Sequence, residues 1–179
     1  MHHDIVVLLD EDHGRLKELS RQVRACPHPA KALNRFDEFA LVLGGHVNAV
    51  RKVVYPGLKA IGWKDVSSVL LLGHVKLTRQ FAELLTLRKP SGVFAEGLND
   101  LLDATGHVIE RERRDLLPLL RDHLTPAVRV AMAVDAAQYL AHLERPLQRP
   151  VGLRDWVLEA RLLLGGPAGV EPPTSEAAG

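Results

Sequence analysis

Proline-containing breaks do most to decide how this chain can fold. CPHP at residues 26–29, YPG at 55–57 and KPSG at 89–92 interrupt a sequence whose apolar residues otherwise recur every three to four positions. Proline lacks a backbone donor and crowds the turn before it, so each break is expected to end a helix. The spacing then predicts four long helices with short connections. The first runs from about Asp4 to Ala25, with Ile5, Leu9, Leu16 and Val23 on one stripe. The second runs from about Ala30 to Val54 and turns Phe36, Phe39, Val42, Leu43, Val50 and Val53 inward. The third, from about Asp65 to Leu87, buries Leu70, Leu71, Leu77, Phe81 and Leu85. The fourth, from about Val93 to Leu117, carries Phe94, Leu98, Leu101, Thr105, Ile109 and Leu116 in phase. Such rods read as an all-α, antiparallel up-down four-helix bundle with two additional C-terminal helices. One of these opens on Thr125-Pro126, a good cap and first-turn pair, and reaches about Glu144; the other spans roughly Leu153 to Leu164. The expected division is a bundle over 1–124, the extra helices packing on it over 125–164, and a disordered Gly/Pro/Glu-rich tail over 165–179.

Composition narrows the class of partner. A net charge of +1 with 25% charged residues points away from nucleic acid and from a membrane surface. The run RERRD at 111–115 is interleaved with acids and reads as a solvated helix face. No apolar stretch is long enough to span a bilayer, and the first residues lack the pattern of a signal peptide. A single cysteine, Cys26, excludes an internal disulfide and fits a reducing cytoplasm. No nucleophile-elbow or phosphate-loop motif is present.

The chemistry lies in the histidines. Each of the four helices carries one candidate: His13, His46, His74 and His107. Counted from the same end of the bundle, they lie roughly 12, 16, 14 and 14 residues deep, which at about 1.5 Å per residue puts them on nearly one level. Direction around the helix is the second test. His46 is flanked by Val42, Leu43, Val50 and Val53 at one- and two-turn spacing, and His74 by Leu70, Leu71, Leu77 and Phe81, so both face inward. His13 lies at the edge of its stripe. His107 has Asp103, Ala104, Glu110 and Arg111 around it and projects away from the core, whereas Glu112 falls in line with Leu98, Thr105 and Ile109. A carboxylate buried alone costs several kcal/mol, about 3–5, so Glu112 needs a partner, and a cation would provide one. The set that passes both tests is His13, His46, His74 and Glu112, which suits iron, manganese or zinc. A π-bulge near Gly106 would instead rotate His107 inward beside Glu112. The pair Gly44-Gly45, unusual inside a helix, reads either as room for a small ligand or close helix approach, or as a local kink. His2, His3, His28, His123 and His142 read as surface residues.

The pieces DEDHGRLKEL, HVNAVRKVVYPGL, LLLGHVKLTRQFAELL and HVIERERRDLLPLL, within residues 4 to 120, resemble the hemerythrin-like, or HHE cation-binding, family. The resemblance implies a four-helix bundle around a non-haem diiron centre that binds O2, NO or peroxide, or senses iron or oxygen. It also implies metal-ligand roles for His13, His46 and His74. The family pattern has His-x-x-x-Glu on the second helix and His-x-x-x-Glu or Asp on the fourth. Here Val50 holds the first carboxylate place. Counting back from Pro118 puts Glu112 in the second and Val108 in the imidazole place, with His107 one residue out of register. A bridged pair of ions would then have one glutamate, unless Tyr55, Asp12 or Glu110 contributes. Three outcomes stay open: one ion with an open position, an altered diiron site, or a metal-free bundle acting through protein–protein contacts. Partners are accordingly a small diatomic or peroxide ligand, or a protein partner or second copy of the chain.

Overall fold

The first helix begins where it does because the Asp4 side chain accepts a hydrogen bond from the Val6 amide at 2.9 Å, a capping contact that satisfies one of the helix's free donors. A computed structural model describes residues 4–26, 29–87 and 91–140, and every regular element within them is helical. Helix α1 is Ile5–Arg24 and α2 is Pro29–Ala49. The latter opens on a proline, whose missing amide would have had no partner in a first turn. Then come α3 (Tyr55–Ala60), α4 (Lys64–Leu87), α5 (Gly92–Arg111), α6 (Leu117–His123) and α7 (Pro126–Leu140). Ser91 caps α5 by accepting from the Phe94 amide at 3.1 Å. At α7 Thr125 is the cap, its hydroxyl accepting from the Val128 amide at 3.4 Å. The expected continuation of that helix to Glu144, the helix at 153–164 and the tail at 165–179 lie outside the described residues, as do His2, His3, His28 and His142.

Two expected helix ends are corrected. YPG does not stop the second helix, nor LLP the fourth. A five-residue π-helical turn, Val50–Val54, joins α2 to α3, and another, Glu112–Leu116, joins α5 to α6. In each, an amide reaches back five residues: Tyr55 N–H to the Val50 carbonyl, and Leu117 N–H to the Glu112 carbonyl. The next residue is Pro56 or Pro118. A proline ring collides with the carbonyl four residues back in a regular helix; the wider turn moves that carbonyl aside, so the helix passes through. The connection comes later, at Ile61–Trp63, where Gly62 takes φ 92°, open to glycine at little cost.

Among the described residues, the buried apolar side chains form two clusters. Along α1 the order is Ile5, Val6 and Leu9 of one cluster, then Leu16, Leu19 and Val23 of the other. Along α2 it is reversed: Phe36, Phe39 and Leu43 come first, and Val50 and Val54 of the next turn follow. Helix α4 passes from Leu70 to Leu77 and Phe81, and α5 from Phe94 and Leu101 to Leu116 beyond it. Where one cluster gives way to the other, each helix places a polar residue: His13, His46, His74 and Glu112.

Helix α7 lies against α1 and α2, and two contacts fix it. The Arg129 guanidinium reaches Asp4 at 2.6 Å and donates to the carbonyls of Arg121 and Leu124 at 2.9 and 3.0 Å. At the other end the helix lies on Gly45, where an added Cβ would stand 2.9 Å from the Tyr139 carbonyl oxygen. The glycine next to His46 thus serves close helix approach. Gly45→Ala is expected to cost about 1–3 kcal/mol from overpacking against rigid backbone, less the 0.5–1 kcal/mol or so that alanine gains in helix propensity. Urea denaturation measures this, and a variant as stable as the parent would mean that α7 does not bear on Gly45.

Candidate metal centre

Three imidazoles and one carboxylate meet in the layer between the two clusters. His13 Nε2 donates to Glu112 Oε2 at 2.8 Å, and His46 Nε2 donates to the same oxygen at 2.9 Å. His74 Nε2 lies 3.3 Å from the other oxygen, Oε1. The ring centres of His13 and His46 are 5.1 Å apart, and those of His46 and His74 5.8 Å. All four side chains are buried. The fourfold arrangement follows from helical phase: each residue sits on its helix's apolar stripe, so packing the stripes together brings the polar groups to one point.

Behind this group stand two further side chains. Asp12 Oδ2 accepts from His46 Nδ1 at 2.7 Å, and the Tyr55 hydroxyl shares a hydrogen bond of 2.6 Å with His74 Nδ1. Thr78 donates to the His74 carbonyl at 2.8 Å. Tyr55 owes its position to the first π turn. Nine residues beyond His46, a regular helix would carry it about 900° round, half a turn off; the residue taken up by the wide turn removes about 100° and swings the ring toward the interior. Asp12, beside His13, carries no sign in the apolar pattern that it would reach His46; the Asp-His pair itself is the only hint. Asp12 and Tyr55 thus stand behind histidines and do not bridge. Glu110 pairs with Lys17 at the surface.

His107 stays out of the group. It is exposed, lining a cavity between α4 and α5 with Lys76 and Asp100 among its neighbours. The rotation that would have brought it inward requires a wide turn before it; the wide turn comes after Glu112. His123 is also exposed, its ring 4.7 Å from that of Trp63. In the RERRD run, Arg113 pairs with Asp10 at 3.0 Å and Arg114 with Asp115 at 2.7 Å.

Electrostatics at the centre are strongly coupled. Burial works against charge on His46, but the Glu112 charge and the hydrogen bonds to Asp12 and Glu112 outweigh it and raise its pKa to about 10. With both nitrogens donating to carboxylates, His46 is an imidazolium. His74 goes the other way: burial lowers it to about 4, against the pull of Glu112. Burial alone would raise Glu112, yet His46, His74 and the bond from His13 hold it well below the usual carboxylate range. Burial also raises the Tyr55 phenol, so it remains protonated.

The donors fit a cation. His13, His46 and Glu112 each offer a ligand atom within 4.8 Å of the others. Among the described residues, His74 Nε2 and Glu112 Oε1 are buried without a hydrogen-bond partner, though they face each other. Buried polar atoms left unmatched cost free energy, and a cation between them would satisfy both. It would have to displace the proton on His46 Nε2, so uptake is coupled to proton release. Removing an orienting group should loosen the site: Tyr55→Phe is expected to weaken cation binding about 10–100-fold. Competition with a chromophoric zinc chelator would read this, and unchanged affinity would show that the phenol does not orient His74.

Residues 4–120 match the family model described as the hemerythrin HHE cation-binding domain. Comparison with curated proteins and with solved structures finds no match. Among the described residues, no helix is long and apolar enough to cross a membrane.

Proposed function

We propose a function from one premise: this chain belongs to the hemerythrin HHE cation-binding domain family. The proposed centre holds a single cation on His13, His46, His74 and Glu112, in an antiparallel up-down four-helix bundle. The alternating order of the two apolar clusters along α1, α2, α4 and α5 supports that topology. The observation that carries the metal reading is the convergence of three imidazole nitrogens on one buried carboxylate, with two of the facing atoms unmatched.

Non-haem iron bound there would supply an open coordination position and a redox change, for binding or reacting with O2, NO or peroxide. The chain's own residues set the conditions. Asp12 and Tyr55 fix the ring planes of His46 and His74, aiming both Nε2 atoms inward. Glu112 supplies the negative charge that a cation needs in a dry layer. The apolar clusters on either side keep bulk water out. A second ion has too few donors: Val50 is fully buried where a carboxylate would stand, and Val108 packs against the core. We place the protein in the cytoplasm, on the strength of its single cysteine.

The test is metal per chain after anaerobic reconstitution of untagged protein with ferrous iron. A value near one is expected, lost in His46→Ala and kept in His107→Ala. A value near two would replace the single ion by an altered diiron centre. A value near zero would favour a metal-free interaction module, in which the His46 imidazolium is shared by Asp12 and Glu112.

A further inference from the structure

Outside the histidine layer, the first π turn, α3 and α4 line a cavity of about 250 Å³ that the metal reading does not use. It is slightly smaller than the ~300–1,000 Å³ typical of sites for drug-sized molecules, so it suits a small organic molecule. Its lining is graded. Exposed Lys59 and half-buried Arg51 stand at the rim, Leu71 and Val75 give apolar sides, and buried Tyr55 and Thr78 form the inner end.

Two observations give the cavity a sign. Among the described residues, none that lines it is acidic. The side chains of Arg51 and Lys59 have, among the described residues, neither an ion pair nor a hydrogen bond; Lys76, Arg111 and Arg121 share that state but are exposed, whereas Arg51 is half-buried. A half-buried guanidinium without an anion is poorly compensated. Its field reaches inward, acting on both Tyr55 and His74.

We propose that this cavity is a binding site for a small organic carboxylate, its anionic head held between Arg51 and Lys59 and its apolar body lying along Leu71 and Val75 toward Tyr55. Arg51 offers a planar fork that matches a carboxylate, and Lys59 adds a second charge. The ligand's inner end would rest against Tyr55 and Thr78, the two side chains that hydrogen-bond His74. Binding does not require a cation in the histidine layer.

Calorimetric titration of the metal-free, untagged full chain at low salt tests this, with sodium hexanoate, hexanol and inorganic phosphate as probes. One hexanoate per chain is expected, with hexanol and phosphate each at least about tenfold weaker, because one lacks the charge and the other the apolar body. Lys59→Gln, at an exposed position, and Arg51→Gln should each weaken hexanoate about tenfold or more. Leu71→Trp should block the cavity in a chain whose circular dichroism and melting are unaltered. Hexanoate that binds no better than hexanol or phosphate overturns the proposal. So does an affinity indifferent to Lys59→Gln, or no heat of binding up to about 10 mM. The metal-free protein is used throughout, so the iron stoichiometry stands or falls separately.

Discussion

Glu112→Gln is expected to lower the affinity for ferrous iron by about a hundredfold or more and to destabilise the metal-free protein by about 3–5 kcal/mol. The carboxylate accepts from His13 and His46 and faces His74 from its other oxygen. An amide has almost the same shape but supplies one acceptor and one donor group. Whichever way it turns, an N–H group points at an imidazole that was donating, or the oxygen is left to serve three rings alone. His46 loses one of the two anions that keep it protonated, and with it the reason to remain an imidazolium in a dry layer. Both effects are large because nothing here is screened by water. Denaturation of the metal-free form and iron titration of the folded form read them separately. A glutamine variant with the parent's stability would show that the carboxylate is not the hub of the layer; one with the parent's iron affinity would remove it from the ligand set.

Val50→Glu should act in the opposite sense on metal and in the same sense on stability. Val50 is wholly buried one turn beyond His46, at the start of a π turn and within the second apolar cluster. When the metal is absent, the His46 imidazolium is already taken by Asp12 and Glu112, so a further carboxylate there is uncompensated and burying it costs several kcal/mol, about 3–5. The metal-free variant should therefore melt well below the parent. Iron should recover more of that loss than it adds to the parent, because binding to the folded state alone stabilises it. Metal per chain should rise from one toward two, the added glutamate offering the bridge that a pair of ions requires. If the folded variant still takes one ion, the missing carboxylate is not what limits the site. If it is as stable as the parent without iron, Val50 does not face a dry interior.

Much of this was legible in residue spacing. Counting depth puts His13, His46 and His74 near one level, but it puts His107 there too and leaves Glu112 five residues further along, so the carboxylate is found by direction and not by depth. Direction follows from about 100° per residue, which separates inward Glu112 from outward His107. What counting misses is anything that breaks the regular period. The two wide turns ahead of Pro56 and Pro118 shift every later side chain, so Tyr55 reads as half a turn off when it is inside. Their signature was present: buried Leu58 and Leu120 continue the apolar pattern past each proline, which a helix end would not do. Asp12 was hidden for another reason. Its partner is on a different helix, and a single tertiary hydrogen bond leaves no periodic trace. The closeness of α7 to Gly45 likewise depends on packing between distant segments, although Gly44-Gly45 marked the place.

Arg129 joins the cap of α1 to the bend between α6 and α7. The first turn of one rod and the bend before α7 are therefore expected to open as a unit, since fraying at Ile5 would withdraw the anion that Arg129 holds while it grips the carbonyls of the bend. In hydrogen exchange the amides around Val6 and those around Val128 should lose protection together, and severing that single guanidinium link would let the two regions breathe independently.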